Sequence, residues 1–267
     1  MDLLQAHFAH PLEAVQGRRP LDAASVHAIR KALKRARAGL RLVRDAVGAH
    51  PYAEENTRLR DAARLLAPAR EARVAIDTID ALRERKGMHE HRATLLRLRA
   101  ALRSEKHDAP VEPLREALQQ SSARVSRWRL PRDPWPILSA GVERIYRRGR
   151  KAFAAARAQP ADRALHELRK QVKYLGAAME ILGAAQAPRL RKLARRADAI
   201  AEPLGADHDL ALLRRRFGRA DRALLEGIDR RRGKLQRKAL KKAARLYRCK
   251  PARFVERLER CPPSLSS

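Results

Sequence analysis

Two nine-residue segments of this chain carry the same kinds of side chain in the same order. Val26-His27-Ala28-Ile29-Arg30-Lys31-Ala32-Leu33-Lys34 recurs 139 positions later as Leu165-His166-Glu167-Leu168-Arg169-Lys170-Gln171-Val172-Lys173. Both read apolar-His-x-apolar-Arg-Lys-x-apolar-Lys. The chemistry such a set performs is anion recognition. A guanidinium presents a planar fork of donors to phosphate oxygens, and an ammonium a mobile point charge. An imidazole adds a donor when neutral and a charge when protonated. Bond cleavage would need an acid, a nucleophile or a metal cage beside His27 or His166, and the basic faces supply none convincingly.

The elements that position these groups are helices. At about 100° per residue, Arg30, Lys31, Lys34 and Arg41 share the face of His27, with Arg35 and Arg37 flanking it. Ile29, Leu33, Ala36, Leu40, Val43 and Val47 form the opposite, apolar stripe. From His166 the companions are Arg169, Lys170 and Lys173, opposed by Leu168, Val172, Leu175, Met179 and Leu182. Cations at this spacing repel and weaken an isolated helix by a few tenths of a kcal/mol per pair, on the order of 0.2–0.5. An anion lying along the row reverses that cost. A linear chain of phosphates is the matching ligand, having charge along its length and neither bases nor apolar surface.

Composition agrees with this chemistry. The 267 residues hold 61 Lys and Arg against 30 Asp and Glu, a net charge of +31. Residues 1–133 carry +10 and the remainder +21, so the excess runs through the chain and is not a tail. Such a surface raises the local concentration of anions, whether nucleic acid, acidic membrane or polyphosphate. Aromatic residues are only 4%. That disfavours a sheet and a single-strand nucleic-acid binder that stacks bases on aromatic platforms. The two cysteines, Cys249 and Cys261, lack a CxxC spacing, so a disulfide framework is not expected and a reducing cytoplasm fits. Met1 to Val15 lacks the charge and apolar core of a secretory leader, and no apolar run approaches membrane-spanning length. No phosphate-binding glycine loop, nucleophile elbow or zincin motif occurs.

Proline and glycine punctuate an all-α chain. The pattern predicts a first helix ending near Gln16-Gly17, then one capped by Asp22 or Ser25 and running to about Val47. A third spans about Tyr52 to Arg85, with Pro68 kinking or breaking it. Others follow over about Met88–Lys106 and Pro113–Ser126. The proline-rich stretch Trp128–Pro136 joins the halves. Helices are then expected at about Ile137–Ala158, Ala161–Leu182, Pro188–Pro203, Asp207–Phe217 and Asp221–Cys249, before a disordered tail at 261–267. The 139-residue period is too long for a solenoid and reads as a duplicated helical bundle. Two halves packed about a pseudo-twofold axis would turn their histidine faces towards a common centre.

Other constellations carry weaker chemistry. His89 and His91 fall on nearly opposite sides of a helix start, with no further ligands at zinc spacing. Asp207-His208-Asp209 reads as a helix start, with Asp207 or Asp209 as cap. Cys249 lies among Arg245, Arg248 and Lys250, a cationic setting of the kind found around reactive thiols, but no partner base is evident. Asp77 and Asp80 read as surface ion pairs with Arg73 and Arg83. Arg58, Arg64, Arg195 and Arg196 lie on the helices after the histidine helices and are candidates for the wall of a shared cavity. The run Arg230-Arg231-Arg232, Lys234, Arg237, Lys238, Lys241, Lys242 and Arg245 surrounds its helix too fully to form one site, and suits an anion-steering rim.

These residues resemble the CHAD family, the conserved-histidine α-helical domain. The family's first-half pattern, His-x-x-Arg-x-x-x-Arg-Arg-x-Arg, is met by His27, Arg30, Lys34, Arg35 and Arg37, with Lys for one Arg. Its second-half pattern is met by Leu165, His166, Leu168, Arg169, Lys170, Lys173, Leu175 and Glu180. The family's Arg-Tyr pair is replaced by Gly176-Ala177, which removes one expected phosphate contact. A later Leu-Gly element followed by Asp is similar to Leu204-Gly205-Ala206-Asp207, and its first-half counterpart to Ala69–Val74, with Glu71 where Asp is usual. The resemblance spans about residues 1–260. It implies two four-helix bundles (about 1–130 and 135–260) related by pseudo-twofold symmetry around a basic central cavity. It further implies non-catalytic binding of inorganic polyphosphate without a cofactor or resident metal, at polyphosphate granules in the cytoplasm and in the company of granule-associated proteins. The triphosphate-tunnel signature to which some members are fused is absent, so the stand-alone form is expected. No membrane partner is expected. A nucleic-acid-binding protein of nucleoid type and a phosphohydrolase acting on phosphoanhydrides stay open as alternatives. In the favoured reading nucleic acid competes only as a non-specific polyanion.

Overall fold

The computed structural model describes residues 21–259, apart from 86, 105–109, 130, 132, 184–186 and 218–221. The helix expected before Gln16-Gly17 and the tail at 261–267 lie outside the described residues. Among those described there are eleven α-helices and no strand. They are α1 (Ala23–Leu42), α2 (Arg44–Val47), α3 (Ala49–Leu65), α4 (Ala67–Arg83), α5 (Arg92–Ser104) and α6 (Val111–Val125), then α7 (Trp135–Ala158), α8 (Asp162–Leu182), α9 (Pro188–Phe217), α10 (Arg222–Leu246) and α11 (Pro251–Glu259). A 3₁₀ turn, His89–His91, leads into α5.

Local chemistry explains most boundaries. The Asp22 carboxylate accepts the Ser25 N–H at 2.7 Å, capping α1 as expected. Gly48, at φ 87°, turns the chain from α2 into α3 in a conformation that side chains resist. Pro68 stands in the first turn of α4, where its missing N–H costs nothing, so the break falls just before it at Leu66.

The helix expected to run to about Val47 is interrupted at Val43, α1 ending at Leu42 and the short α2 starting at Arg44. Two further boundaries differ from expectation. Helices predicted over 188–203 and 207–217 form one continuous α9, with Pro203 buried inside it. The proline removes one backbone hydrogen bond and crowds the preceding turn, a cost of about 3 kcal/mol. Burial of α9 between α8 and α10 along its length outweighs that cost. The second difference is α11, which pattern reading did not anticipate. Its signals were present: Pro251 at the first helical position, then Phe254, Val255 and Leu258 on one side. That side packs on α7, with the Phe254 ring stacked 4.0 Å from Tyr146.

Packing follows the predicted stripes. Ile29, Leu33, Ala36, Leu40 and Val43 are buried, as are Leu168, Val172, Leu175, Met179 and Leu182. The main core gathers side chains from α1, α3, α6, α7, α8, the first half of α9, the end of α10, and α11. A second cluster joins α4 and α5 to the end of α9 and the start of α10 through Ile79, Leu95, Leu213 and Ile228. Both cores therefore draw on both halves of the chain. Helix α9, about 45 Å long at 1.5 Å per residue, reaches from one cluster to the other.

Helix α7 passes so close to the end of α1 that a Cβ on Gly141 would stand 2.3 Å from the Leu42 carbonyl oxygen. Gly141→Ala is expected to destabilise the protein by about 1–3 kcal/mol through overpacking against backbone. Gly233→Ala, mid-way along α10 with space for a methyl group, is expected to stabilise it by about 0.5–1 kcal/mol. Urea unfolding of the two variants checks both signs.

Candidate anion-binding site

Helices α1 and α8 cross antiparallel, and the crossing brings the two histidine segments together. Arg35 on α1 pairs with Glu180 on α8 at 2.7 Å. Six residues on, the Arg41 guanidinium lies 3.7 Å over the Tyr174 ring, six residues back along α8. Under the 139-residue offset Arg35 corresponds to Tyr174, and Arg41 to Glu180. The two contacts thus exchange equivalent positions, as contacts across a local twofold do. Beside them Lys34 and Lys173, themselves equivalent, lie close enough to repel.

Around that pair a group of cations converges from four helices. Helix α1 supplies Arg30 and Lys34; α8 supplies His166, Arg169 and Lys173; α4 supplies Arg70; and α9 supplies His208 and Arg215. Arg30 donates from Nη1 to the Ala63 carbonyl at 3.0 Å, which ties it to the last turn of α3. The Arg169 guanidinium runs against the backbone of α9 at Gly205, where a Cβ would come within 3.0 Å of Nη2. The His166 and His208 rings lie 4.7 Å apart.

This convergence changes the protonation of its members. Desolvation pushes the Lys34 ammonium down to about 7, and Lys173, Arg30, Arg70 and Arg169 add repulsion. Lys173 is pushed down to about 8 by desolvation, then by Arg169 and Arg70. Lys34 still opens to solvent on one side, so its charge is crowded but accessible. His208 is pushed down to about 4 by desolvation, then by His166 and Arg169, and is a neutral donor near pH 7. His166 is lowered in the same sense and order of cause, by desolvation and then Arg169 and Lys170.

Counter-charge is sparse. Desolvation raises the Asp209 carboxyl, opposed by Arg169, Arg70 and Lys173. Its Oδ1 is buried without a hydrogen-bond partner, as is Arg169 Nε. Among the described residues, Arg30, Lys34, Arg70, Arg169 and Lys173 form no ion pair with a carboxylate. A site with buried donors, excess positive charge and lysines ready to accept protons can hold an anion with several charged oxygens.

The other expected site residues lie elsewhere. His27 is exposed near the start of α1, and Lys31 is exposed facing Asp198. Lys170 pairs with Glu167. Arg37 donates to Asn56 Oδ1 at 3.2 Å. Arg41 borders a separate small hollow with Arg44, Arg144 and Arg148. Arg58 pairs with Glu55 at 2.7 Å, Arg64 with Asp61 at 3.1 Å, and Arg195 and Arg196 are exposed on α9. Arg73–Asp77 and Arg83–Asp80 form the expected ion pairs.

Sequence reasoning missed Arg70, His208, Asp209 and Arg215 as neighbours of this site. Arg70 sat in a diverged family element, and Gly205 was the one available signal for the path of Arg169. The reading of Asp207-His208-Asp209 as a helix start is corrected, since α9 runs straight through it. Asp207, 2% exposed, accepts from Arg232 Nε at 3.0 Å and Gln236 Nε2 at 2.9 Å. It locks α10 to the turn of α9 that carries His208, while Asp209 lies in the cationic group. Arg232 reaches on to Asp162 at the start of α8. His89 and His91 lie in the 3₁₀ turn, and no metal-holding cluster of His, Cys, Asp and Glu occurs among the described residues.

The CHAD-domain description matches residues 2–218, four-fifths of the chain. The chain belongs to the CHAD family. Domains of this family are known in polyphosphate-binding contexts. No curated protein and no solved structure matches this chain. The CHAD match includes every member of the cationic group and ends before α10, short of residue 260 where the motif resemblance was drawn. Helices α10 and α11 lie beyond it, yet α10 packs along α9 and both contact α7. No helix among the described residues is long and apolar enough to cross a membrane.

Two outcomes follow from this geometry. Asp207→Ala leaves Arg232 paired only with Asp162, and Gln236 Nε2 without its acceptor, and is expected to cost about 1–3 kcal/mol of stability, read by denaturant unfolding. Gly205→Ala pushes on the movable end of Arg169, so it is expected to weaken anion binding several-fold with little loss of stability.

Proposed function

We propose that this CHAD protein binds inorganic polyphosphate non-covalently, without catalysis, and that this binding directs it to polyphosphate granules in the cytoplasm. The observation that carries the reading is the meeting of Arg30 and Lys34 with Arg169, Lys173 and Arg70, with no carboxylate among the described residues ion-paired to any of them. A phosphate chain brings one charge per unit along its length and relieves repulsion between cations that the fold holds together. The exchange of contacts between α1 and α8 supports two halves related by a local twofold around that meeting point. His27, Lys31, Arg35, Arg37, Arg41, Lys170, Arg58, Arg195 and Arg196 complete the proposed path as outer contacts. Granule-associated proteins are its proposed partners, and nucleic acid a non-specific competitor.

Binding through charge predicts a steep fall in affinity with salt. Lys34→Glu with Lys173→Glu should reduce polyphosphate affinity at least ten-fold more than Lys241→Glu with Lys242→Glu, measured by titration at matched ionic strength. Equal losses would rule out a defined site. Tighter binding of duplex DNA than of polyphosphate, or phosphate release from the polymer, would favour the nucleic-acid or hydrolase alternative.

The lysines also set a pH dependence. In the free protein Lys34, near 7, and Lys173, near 8, lose charge as pH rises through those values, whereas an unfolded lysine keeps it to about 10.4. Affinity should therefore fall between pH 6 and 9, and binding at pH 8 should take up protons, measurable by calorimetry in buffers of different ionisation enthalpy. For the same reason these lysines make the unliganded fold gain stability as pH rises from 7 towards 10, because the unfolded chain binds more protons there. Asp209→Asn removes a competing negative charge and should tighten binding.

A further inference from the structure

Beyond the CHAD match, at the junction of α10, α11 and α7, lies a hollow of about 550 Å³ lined by Arg248, Cys249, Lys250, Arg253 and Arg257. Four of its five lining side chains are cations and none is a carboxylate. Among the described residues, none of these four cations is ion-paired. Some second-half cations are paired, Arg144 with Asp45 and Arg214 with Asp229, while others such as Lys241 and Lys242 on α10 are also without an ion pair among the described residues, so it is the concavity that sets these four apart. Unpaired cations on a convex surface are simply solvated. Here they surround a concavity within the range of small-molecule sites, about 300–1,000 Å³.

The hollow stands on a rigid floor. The Tyr146 hydroxyl reaches the carbonyl oxygens of Leu246 at 3.0 Å and Cys249 at 3.3 Å, and Arg150 also donates to the latter. Tyr146 is stacked on Phe254 of α11. The turn that carries Arg248, Cys249 and Lys250 is thus fixed to α7 from beneath. Helix α11 begins at this turn with no acidic residue in its first turn, so the positive end of its dipole is uncompensated. Arg257 donates from Nη1 to Cys249 Sγ at 3.0 Å, which marks the thiol as the acceptor within the hollow.

We propose that this hollow is a second anion site, separate from the α1–α8 site, that takes a compact group of two or three phosphates against Arg248, Lys250, Arg253 and Arg257. The group is either a free small oligophosphate or the end of a longer phosphate chain. It covers the Cys249 thiol when bound. Occupancy depends on none of the residues of the first site, so the proposal stands apart from the proposed function.

The test uses the full chain with Cys261→Ala, which leaves Cys249 as its one thiol. The rate of Cys249 alkylation by neutral iodoacetamide is followed against inorganic triphosphate at fixed ionic strength. Triphosphate is expected to slow alkylation at least five-fold. Its half-effect concentration should rise at least ten-fold in Lys250→Gln with Arg253→Gln, whose side chains are exposed and outside the core. It should be unchanged in Lys34→Glu with Lys173→Glu. Repeating the titration in that last variant with long-chain polyphosphate distinguishes the sources. Protection per chain end equal to that of triphosphate indicates a chain terminus, and protection by triphosphate alone a free ligand. Absence of protection by triphosphate, or protection that disappears with Lys34 and Lys173, overturns the proposal.

Discussion

Repulsion between Lys34 and Lys173, imposed by aliphatic packing beneath them, is the constraint on which the rest of this structure turns. Each helix buries a stripe of four or five aliphatic residues. Burial of one Leu, Ile or Val contributes about 1.5–3 kcal/mol, and four or five such residues on each helix together outweigh the cost of desolvating and crowding the lysines. Packing wins, and the cationic faces are carried together. The cost appears in protonation: Lys34 and Lys173 both hold their protons less tightly than a free lysine, first through desolvation and then through the cations around them.

Ties at the edge of the seam keep it from spreading. Arg35–Glu180 and Arg41–Tyr174 join the same two helices, with Lys34 next to Arg35 and Lys173 next to Tyr174 in the chain. One is an ion pair and the other a guanidinium over an aromatic ring, so the duplicated positions have diverged in chemistry while keeping their contact. The Asp207–Arg232–Asp162 network performs the equivalent task for α9, holding the turn that carries His208 and Asp209 against α8 and α10. These acidic groups act as fasteners. They sit beside the cationic group without neutralising it.

The second half of the chain adds a different arrangement of the same chemistry. Beyond the CHAD match, α10 and α11 close over α7 and create a concave cationic surface out of a turn and a short helix. In the first site, cations from distant segments meet because helices cross. In the second, they meet because five residues lie within one turn and the two helical turns that follow it.

Much of this was legible in the residues alone. The helical class, the apolar stripes, the Asp22 cap, the break before Pro68 and the His-x-x-Arg-Lys-x-x-Lys faces are local properties, set within one or two helical turns. Periodicity and capping chemistry act at that range, so sequence reveals them. Choosing which members of a face meet is another matter. Arg30, Lys34, Arg169 and Lys173 converge while Arg35 and Arg37 are taken up by Glu180 and Asn56, partners that depend on where helices cross. Arg70, His208 and Asp209 joined the site for the same reason, and the continuity of α9 through Pro203 required burial on both its flanks. Spacing along the chain determined the faces; the packing of helices, decided by apolar burial over the whole molecule, determined which charges were forced together.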